Sequence, residues 1–208
     1  MGYFITFEGG EGTGKTTIIE QVKNYLLNLG YEVIVTREPG GIEISEQIRD
    51  IILDVKNVKM DYRTEALLYA ASRVQHLAEK VIPALEQGKV VLCDRYLDSS
   101  LVYQGIARGL GVDKVLNINM FALDHMPDLT LFISARPEVC FERLKKSNRT
   151  MDRLDLEKKE FHEMVYDGYK QISKLYPERI TTIDGEQAVE KVISDALDAI
   201  KKLVDKRW

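Results

Sequence analysis

Between the apolar run Tyr3-Phe4-Ile5-Thr6-Phe7 and the helix-patterned stretch from Ile18 onward, the chain reads Gly9-Gly10-Glu11-Gly12-Thr13-Gly14-Lys15-Thr16. This matches G-x-x-x-x-G-K-[ST], with a strand before it and a helix after it, which is the context that gives the pattern its meaning. The glycines let the backbone adopt dihedrals closed to other residues, so that its N–H groups and the following helix N-terminus converge on phosphate oxygens. Lys15 is placed to reach the β- and γ-phosphates of a nucleotide, and Thr16 to hold Mg²⁺. A glycine-rich turn that merely joined strand to helix would leave Lys15 and the flanking context unexplained.

A second acid suits the same chemistry. The apolar run Val90-Val91-Leu92-Cys93 ends in Asp94, a carboxylate at a strand terminus of the kind that phosphate-loop proteins use near the metal. Arg37, Arg49, Arg73 and Arg95 fall at strand ends or on helices beside the presumed crevice, and Arg149 and Arg153 fall in the cation-rich stretch Lys145 to Arg153. Transfer of a phosphoryl group to an acceptor phosphate gathers many negative oxygens, and preorganised cations offset their repulsion. The arginines therefore point to a second, acceptor site beside the donor loop.

The elements that must position these groups follow from periodicity. Tyr3 to Glu8, Tyr31 to Thr36, Lys89 to Asp94, Leu129 to Ser134 and Ile180 to Asp184 read as strands. Helices are expected over Lys15 to Leu29, Glu43 to Leu53, Arg63 to Gln87, Val112 to Asp124, Pro137 to Lys146, Glu157 to Tyr176 and Gln187 to Val204. Short apolar runs alternating with long helices imply an α/β fold with a mostly parallel five-stranded sheet covered on both faces. Such sheets bind ligands at the C-terminal ends of their strands, where Gly9, Asp94 and Arg95 all fall. In Arg63 to Gln87 the apolar positions Ala66, Leu67, Ala70, Ala71, Val74, Leu77, Ala78, Val81 and Ile82 suggest one face packed on the core, which leaves the polar face as a candidate wall of the site. Lys145 to Arg153 reads as an exposed, mobile loop.

At 208 residues, with 45% hydrophobic and 30% charged residues, the chain suits one domain with a sizeable core. A net charge of −4 with the signs interspersed fits a mononucleotide ligand and excludes the basic stripe that binds a nucleic-acid polymer. Cys93 and Cys140 form no metal-type pair, and Cys93 lies in an apolar run, so a reduced cytoplasmic setting is expected. His76, His125 and His162 share no motif, and no apolar stretch approaches a membrane span. Met1-Gly2-Tyr3 matches the loose myristoylation pattern, but a first strand from Tyr3 argues against a lipidated end.

Read in order, Phe7-Glu8-Gly9 through Thr16-Thr17, Thr36-Arg37-Glu38-Pro39-Gly40-Gly41, Ala70-Ala71-Ser72-Arg73, Asp94-Arg95-Tyr96 and Tyr103-Gln104-Gly105 resemble bacterial thymidylate kinase, a member of the nucleoside monophosphate kinases, over nearly the whole chain. The resemblance implies a P-loop kinase fold over 1–208 with a lid segment at about 145–156. ATP would be bound by Gly9, Gly10, Glu11, Gly12, Thr13, Gly14, Lys15, Thr16 and Thr17. Tyr69 would stack on the thymine and Arg73 bind its O4, and their i, i+4 spacing puts both on one helical face. Ser99, Ser100 and Gln104 would add polar contacts from the next segment, and Glu38 and Pro39 would flank the base, with Pro39 near the thymine methyl. Tyr103 would crowd the position of a ribose 2′-hydroxyl. Glu11 would contact the 3′-hydroxyl or its metal-water network. Arg49 and Arg95 would hold the acceptor phosphate with Arg37 in support, and Asp94 and Thr16 would organise Mg²⁺. No basic residue occupies Gly12, so Arg149 and Arg153 would supply charge from the lid. The base-stacking position, commonly Phe in the family, is here Tyr69.

The implied reaction is ATP plus dTMP giving dTDP and ADP by in-line transfer in a homodimer. It needs no general base, because the acceptor phosphate is already an oxyanion. Another nucleoside monophosphate kinase would keep the donor loop and change the wall at Tyr69 and Arg73. A nucleotide switch or ATPase would rest on the loop alone; the guanine-type Asn/Thr-Lys-x-Asp motif is approached only by Val58-Lys59-Met60-Asp61, which lacks its first residue.

Overall fold

The computed structural model describes residues 2–146 and 151–205. Its centre is a sheet of five strands, β1 (Tyr3–Glu8), β2 (Val33–Arg37), β3 (Val90–Asp94), β4 (Leu129–Ser134) and β5 (Ile180–Asp184), in the order β2-β3-β1-β4-β5. Every ladder is parallel, so the expectation of a mostly parallel sheet sharpens to a wholly parallel one. The register pairs Phe7 with Asp94, and Arg37 with Asp94 on the other side, which aligns the C-terminal ends of β1, β2 and β3 at one edge.

The helices are α1 (Lys15–Asn28), α2 (Glu43–Leu53), α3 (Tyr62–His76), α4 (Ile82–Glu86), α5 (Leu97–Ser100), α6 (Val112–Ile118), α7 (Met120–Leu123), α8 (Pro137–Lys145), α9 (Lys159–Leu175) and α10 (Val189–Asp205). A π-helical turn over Leu77–Val81 joins α3 to α4, and a second over Leu101–Ala107 continues α5. The single helix expected over Arg63 to Gln87 is thus a rod with a widened turn ahead of Pro83, whose ring cannot sit on a regular helical hydrogen bond. The expected Val112 to Asp124 helix breaks at Asn119, whose Nδ2 donates to the Val115 carbonyl. The helical segment from Leu97 to Ala107 was not anticipated.

Strand alternation sorts the core into two layers. Ile5, Phe7, Val90, Leu92, Leu131 and Ile133 face α1 and α10, packing on Ile18, Val22, Leu26, Ala196 and Ile200. Phe4, Val91, Cys93 and Phe132 face the opposite layer, against Leu97, Leu101, Val165 and Tyr169. Phe7 is fully buried, and its loss to Ala is worth about 3–5 kcal/mol. On the same side of β1 as Phe4 stand Thr6 and Glu8, both fully buried and both polar. Thr6 pairs with the Thr130 hydroxyl at 2.8 Å, while Glu8 ends the strand just before the glycine loop.

Along α3 the apolar stripe does not all turn inward. Ala66 and Ala70 are buried, as is Leu77 in the turn that follows, whereas Leu67 is 55% and Val74 38% exposed. Glu65, Ser72, Arg73 and His76 are enclosed with them. The amphipathic reading thus holds for Ala66 and Ala70 and fails at Leu67 and Val74, while the charged groups Glu65 and Arg73 are buried by their own ionic partners.

Candidate phosphotransfer site

The loop after β1 is shaped by Gly9, Gly12 and Gly14, with φ of 138°, 78° and 93°. A Cβ on Gly9 would stand 2.5 Å from the Ile133 carbonyl oxygen, so both conformation and space demand glycine there. α1 then starts at Lys15 with no acidic residue in its first turn, leaving the positive helix end free to attract an anion. Lys15 is only 6% exposed. Its Nζ donates to the Gly9 and Gly10 carbonyls at 3.2 and 3.1 Å and lies 3.8 Å from Asp94 Oδ1. Thr13 Oγ1 braces the loop through the Gly10 carbonyl, while Thr16 and Thr17 remain exposed beyond it.

Beside the loop opens a cavity of about 270 Å³. Its floor is the end of β3 with Asp94, Arg95 and Tyr96, and its walls come from β2 and the following turn, from α2, α3 and the 97–107 segment, and from residues 152–155. Arg95 adopts φ +70°, uncommon for a residue with a side chain, and its guanidinium is held by four oxygens. Nη1 donates to Ser99 Oγ (3.1 Å) and Tyr169 Oη (2.9 Å); Nη2 donates to Glu11 Oε1 (2.8 Å) and Tyr103 Oη (3.2 Å). The Glu11 contact joins the phosphate loop directly to the acceptor wall.

Behind Arg95 lies Glu8, which accepts from the backbone N–H groups of Tyr96 and Ser99 and from the hydroxyls of Ser99 and Tyr169. Burial, and then the neighbouring Asp98 charge, push the Glu8 carboxyl up to about 7 against the pull of Arg95 and the hydroxyl donors. Burial likewise raises the Tyr69, Tyr103 and Tyr169 phenols above their ordinary range, so all three are neutral donors and acceptors near pH 7.

Arg73 projects from α3 and is 1% exposed. Nε donates to Glu38 Oε2 (2.8 Å), Nη1 to Asn119 Oδ1, and Nη2 to the Tyr96 carbonyl (3.1 Å) and Ser100 Oγ (3.0 Å). Of the five N–H groups of a guanidinium, one on Nη1 is left beside the cavity. Glu38, whose peptide to Pro39 is cis, spends its other oxygen on His76 Nδ1 at 3.0 Å. Arg49 Nη1 donates to the Pro39 carbonyl at 2.9 Å, and Arg37, more exposed, pairs with Glu46 at 2.7 Å.

The thymidylate kinase family model matches residues 7–196. The chain belongs to the thymidylate kinase family. Thymidylate kinase of Oceanobacillus iheyensis is 57% identical over 99% of this chain and 92% of its own, and that of Clostridium novyi 56% over 96% and 98%. The crystal structure of thymidylate kinase from Ehrlichia chaffeensis superposes with a TM-score of 0.78 at 30% identity, covering 96% of this chain and 98% of that one.

Of the residues expected from the thymidylate kinase resemblance, Glu11, Thr16, Arg37, Glu38, Pro39, Arg49, Tyr69, Arg73, Asp94, Arg95, Ser99, Tyr103 and Gln104 all line the one cavity. Lys15 borders it through Asp94, and Ser100 reaches it through Arg73. Arg149 lies outside the described residues. Arg153 differs from expectation: it is 8% exposed, donates to the Ile52 carbonyl (2.8 Å) and to Glu65 Oε2 (2.6 Å), and does not line the cavity. The exposed loop expected around it is folded under there, because the fully buried Glu65 carboxylate requires cationic partners and Arg153 is one of them.

Sequence reasoning missed Glu8, Glu65, Asn119, Asp152, Asp155 and His162. Glu65 carried a usable signal, since it precedes Tyr69 and Arg73 at steps of four on one helix face. Asn119 and His162 carried none, and they meet the site only through tertiary packing. Cys93 and Cys140 are both buried and free; burial raises the Cys93 thiol well above its ordinary range and the Cys140 thiol to about 11, as inert packing groups require.

Proposed function

We propose that the cavity is the dTMP site of an ATP:dTMP phosphotransferase and that the loop over Gly9 to Thr17 is its ATP site. The chain phosphorylates dTMP to dTDP as other thymidylate kinases do. The observation that carries the site assignment is the contact between Glu11 Oε1 and Arg95 Nη2, which puts a phosphate-binding loop and a cation-lined pyrimidine-sized cavity in hydrogen-bonding contact. On this reading Lys15 and the loop N–H groups hold the donor phosphates, Arg95 and Arg49 the acceptor phosphate, and Tyr69 the base. Tyr103, beside Arg95, closes the space at the sugar. Arg37 and Glu46 brace the outer wall.

The chemistry asks little of proton transfer. Alignment of two anionic groups, offset by fixed cations in a site with little water, accounts for the rate; on this reading the segment at about 145–156 is the lid that excludes water, with Arg149 and Arg153 as its cations, and Arg153 would have to exchange Glu65 for the donor phosphate. Asp94 Oδ1 is buried and accepts no hydrogen bond among the described residues, and Thr16 stands exposed beside the same cavity. Two hard oxygen donors next to a phosphate site fit a hydrated Mg²⁺, which when bound neutralises charge between the phosphates.

The partner we infer is a second copy of the chain. Leu67 on α3 and Met120, Phe121 and Leu123 on α7 are exposed large apolar side chains, Phe121 to 72%, and a groove along Ala66, Leu67, Leu110 and Ile118 runs beside them. A cytoplasmic setting agrees with two free, buried thiols; no helix among the described residues is long and apolar enough to cross a membrane. The decisive test is ADP release with ATP and Mg²⁺ across dTMP, dUMP, dCMP, AMP, GMP and no acceptor. Release that depends on dTMP supports the assignment; release without an acceptor overturns it.

A further inference from the structure

Glu65 takes part in none of the roles above, yet it is fully buried on the cavity side of α3. Oε1 accepts from Gln104 Nε2 at 2.9 Å and from Arg108 Nε at 3.4 Å; Oε2 accepts from Arg153 Nη2 at 2.6 Å and Arg108 Nη2 at 3.4 Å. Two guanidinium groups pair with this carboxylate and hold it in place, and Arg108 is fixed in turn by Glu157 at 2.6 Å. A carboxylate engaged in two salt bridges only accepts. Gln104, itself 1% exposed, must therefore turn its amide NH₂ toward Glu65, and a flipped amide would set oxygen against oxygen inside a low-dielectric site.

That constraint decides what the cavity can read. With one N–H of its amide on Glu65 Oε1, Gln104 has its NH₂ anchored at that carboxylate and its carbonyl oxygen turned the other way, and no hydrogen bond to that oxygen occurs among the described residues. Arg73, a pure donor, has one N–H remaining. Arg73 and Gln104 thus present to the cavity a guanidinium N–H beside an amide carbonyl oxygen, a donor next to an acceptor. A pyrimidine-2,4-dione presents the complement, a C4 carbonyl acceptor next to an N3–H donor. A 4-aminopyrimidine presents the reverse, an amino donor next to a bare N3, and meets donor with donor and acceptor with acceptor.

The geometry points to Glu65 as a positioning residue that selects 4-oxo over 4-amino pyrimidine nucleotides by locking the orientation of the Gln104 amide. The inference rests on the proposed placement of the acceptor base against Arg73 and Gln104. Selectivity is then set by a residue one shell behind the base, on the same helix stripe as Tyr69 and Arg73.

The test is the ratio of kcat/KM for dTMP to that for dCMP, measured for the unaltered protein and for Glu65→Gln and Glu65→Asp, alongside KM for ATP. Glu65→Gln can present an amide to Gln104 in either sense, so the ratio should fall about ten-fold or more while KM for ATP stays within about two-fold. Glu65→Asp keeps the charge but withdraws it by one methylene, and the ratio should fall less, by about three-fold. A purely structural role would lower both acceptors in step. An unchanged ratio in whichever variant folds overturns the inference. An unaltered protein that shows no preference for dTMP would instead overturn the placement of the base.

Discussion

Glu11 Oε1, in the phosphate loop, accepts a hydrogen bond of 2.8 Å from Arg95 Nη2 at the end of β3. Two residues 84 positions apart in the chain thereby tie the donor site to the acceptor site, and Arg95 holds its left-handed backbone conformation at the point of contact. Loss of this carboxylate leaves Arg95 on the Ser99, Tyr169 and Tyr103 hydroxyls but unties it from the phosphate loop. Glu11→Ala is expected to raise KM for dTMP and lower kcat together by about ten- to a hundred-fold, the worth of one charge-assisted hydrogen bond, with KM for ATP little changed. Steady-state kinetics with each substrate varied checks this; a loss confined to ATP would place Glu11 on the donor side alone.

Lys15 rests on the Gly9 and Gly10 carbonyls beside Asp94, already inside the loop it is to serve. Lys15→Ala should depress kcat by about 10²–10³-fold with every acceptor tested, because it removes a preorganised cation at the transferred phosphate. Near-normal turnover would remove the loop from the chemistry.

Arg153 is held by Glu65 and the Ile52 carbonyl. If it leaves them for the donor phosphate as the lid closes, Arg153→Ala should lower kcat while leaving dTMP binding nearly intact. It should also destabilise the fold by about 1–3 kcal/mol, since Glu65 then retains fewer partners. Calorimetric titration with dTMP, a thermal melt and kcat together separate the two effects, and an unchanged kcat would end its lid role.

Glu8 sets a pH dependence. Its carboxyl is raised from 4.5 to about 7 in the folded protein, so the native state binds its proton more tightly than the unfolded chain does. The associated stability is fully present below about pH 4.5 and is lost as pH rises to about 7, amounting to about 3 kcal/mol in all. Glu8→Gln should flatten the stability profile between these limits. Denaturant melts at pH 5 and pH 7.5 for both proteins provide the comparison, and parallel profiles would remove Glu8 as the source.

Much of the fold was legible because its elements are bounded by local signals. β1, β4 and β5 fall where short apolar runs placed them, at Tyr3–Glu8, Leu129–Ser134 and Ile180–Asp184. β2 is displaced to Val33–Arg37, since an edge strand's limits are set by its ladder to β3, and that ladder runs from Val33 to Arg37. The segment from Leu97 to Ala107 was missed because its helical turn is stabilised by contacts to Glu8, Arg73 and Glu65 rather than by a run of helix-forming residues.

The glycine loop shows what sequence alone determines. Dihedral freedom at Gly9 and Gly14, a lysine and a threonine entering a helix, and a strand before them are all local, and neighbouring residues suffice to define a phosphate site. The acceptor cavity is different in kind. Tyr69 and Arg73 were readable by their spacing, but Arg73 is held by Glu38, Asn119 and Ser100 from three separate elements, and Arg153 turns inward to a carboxylate 88 residues away. Only the tertiary structure decides such partners, because a buried charge takes whichever opposite charge the packing brings within reach, and sequence distance has no bearing on that choice.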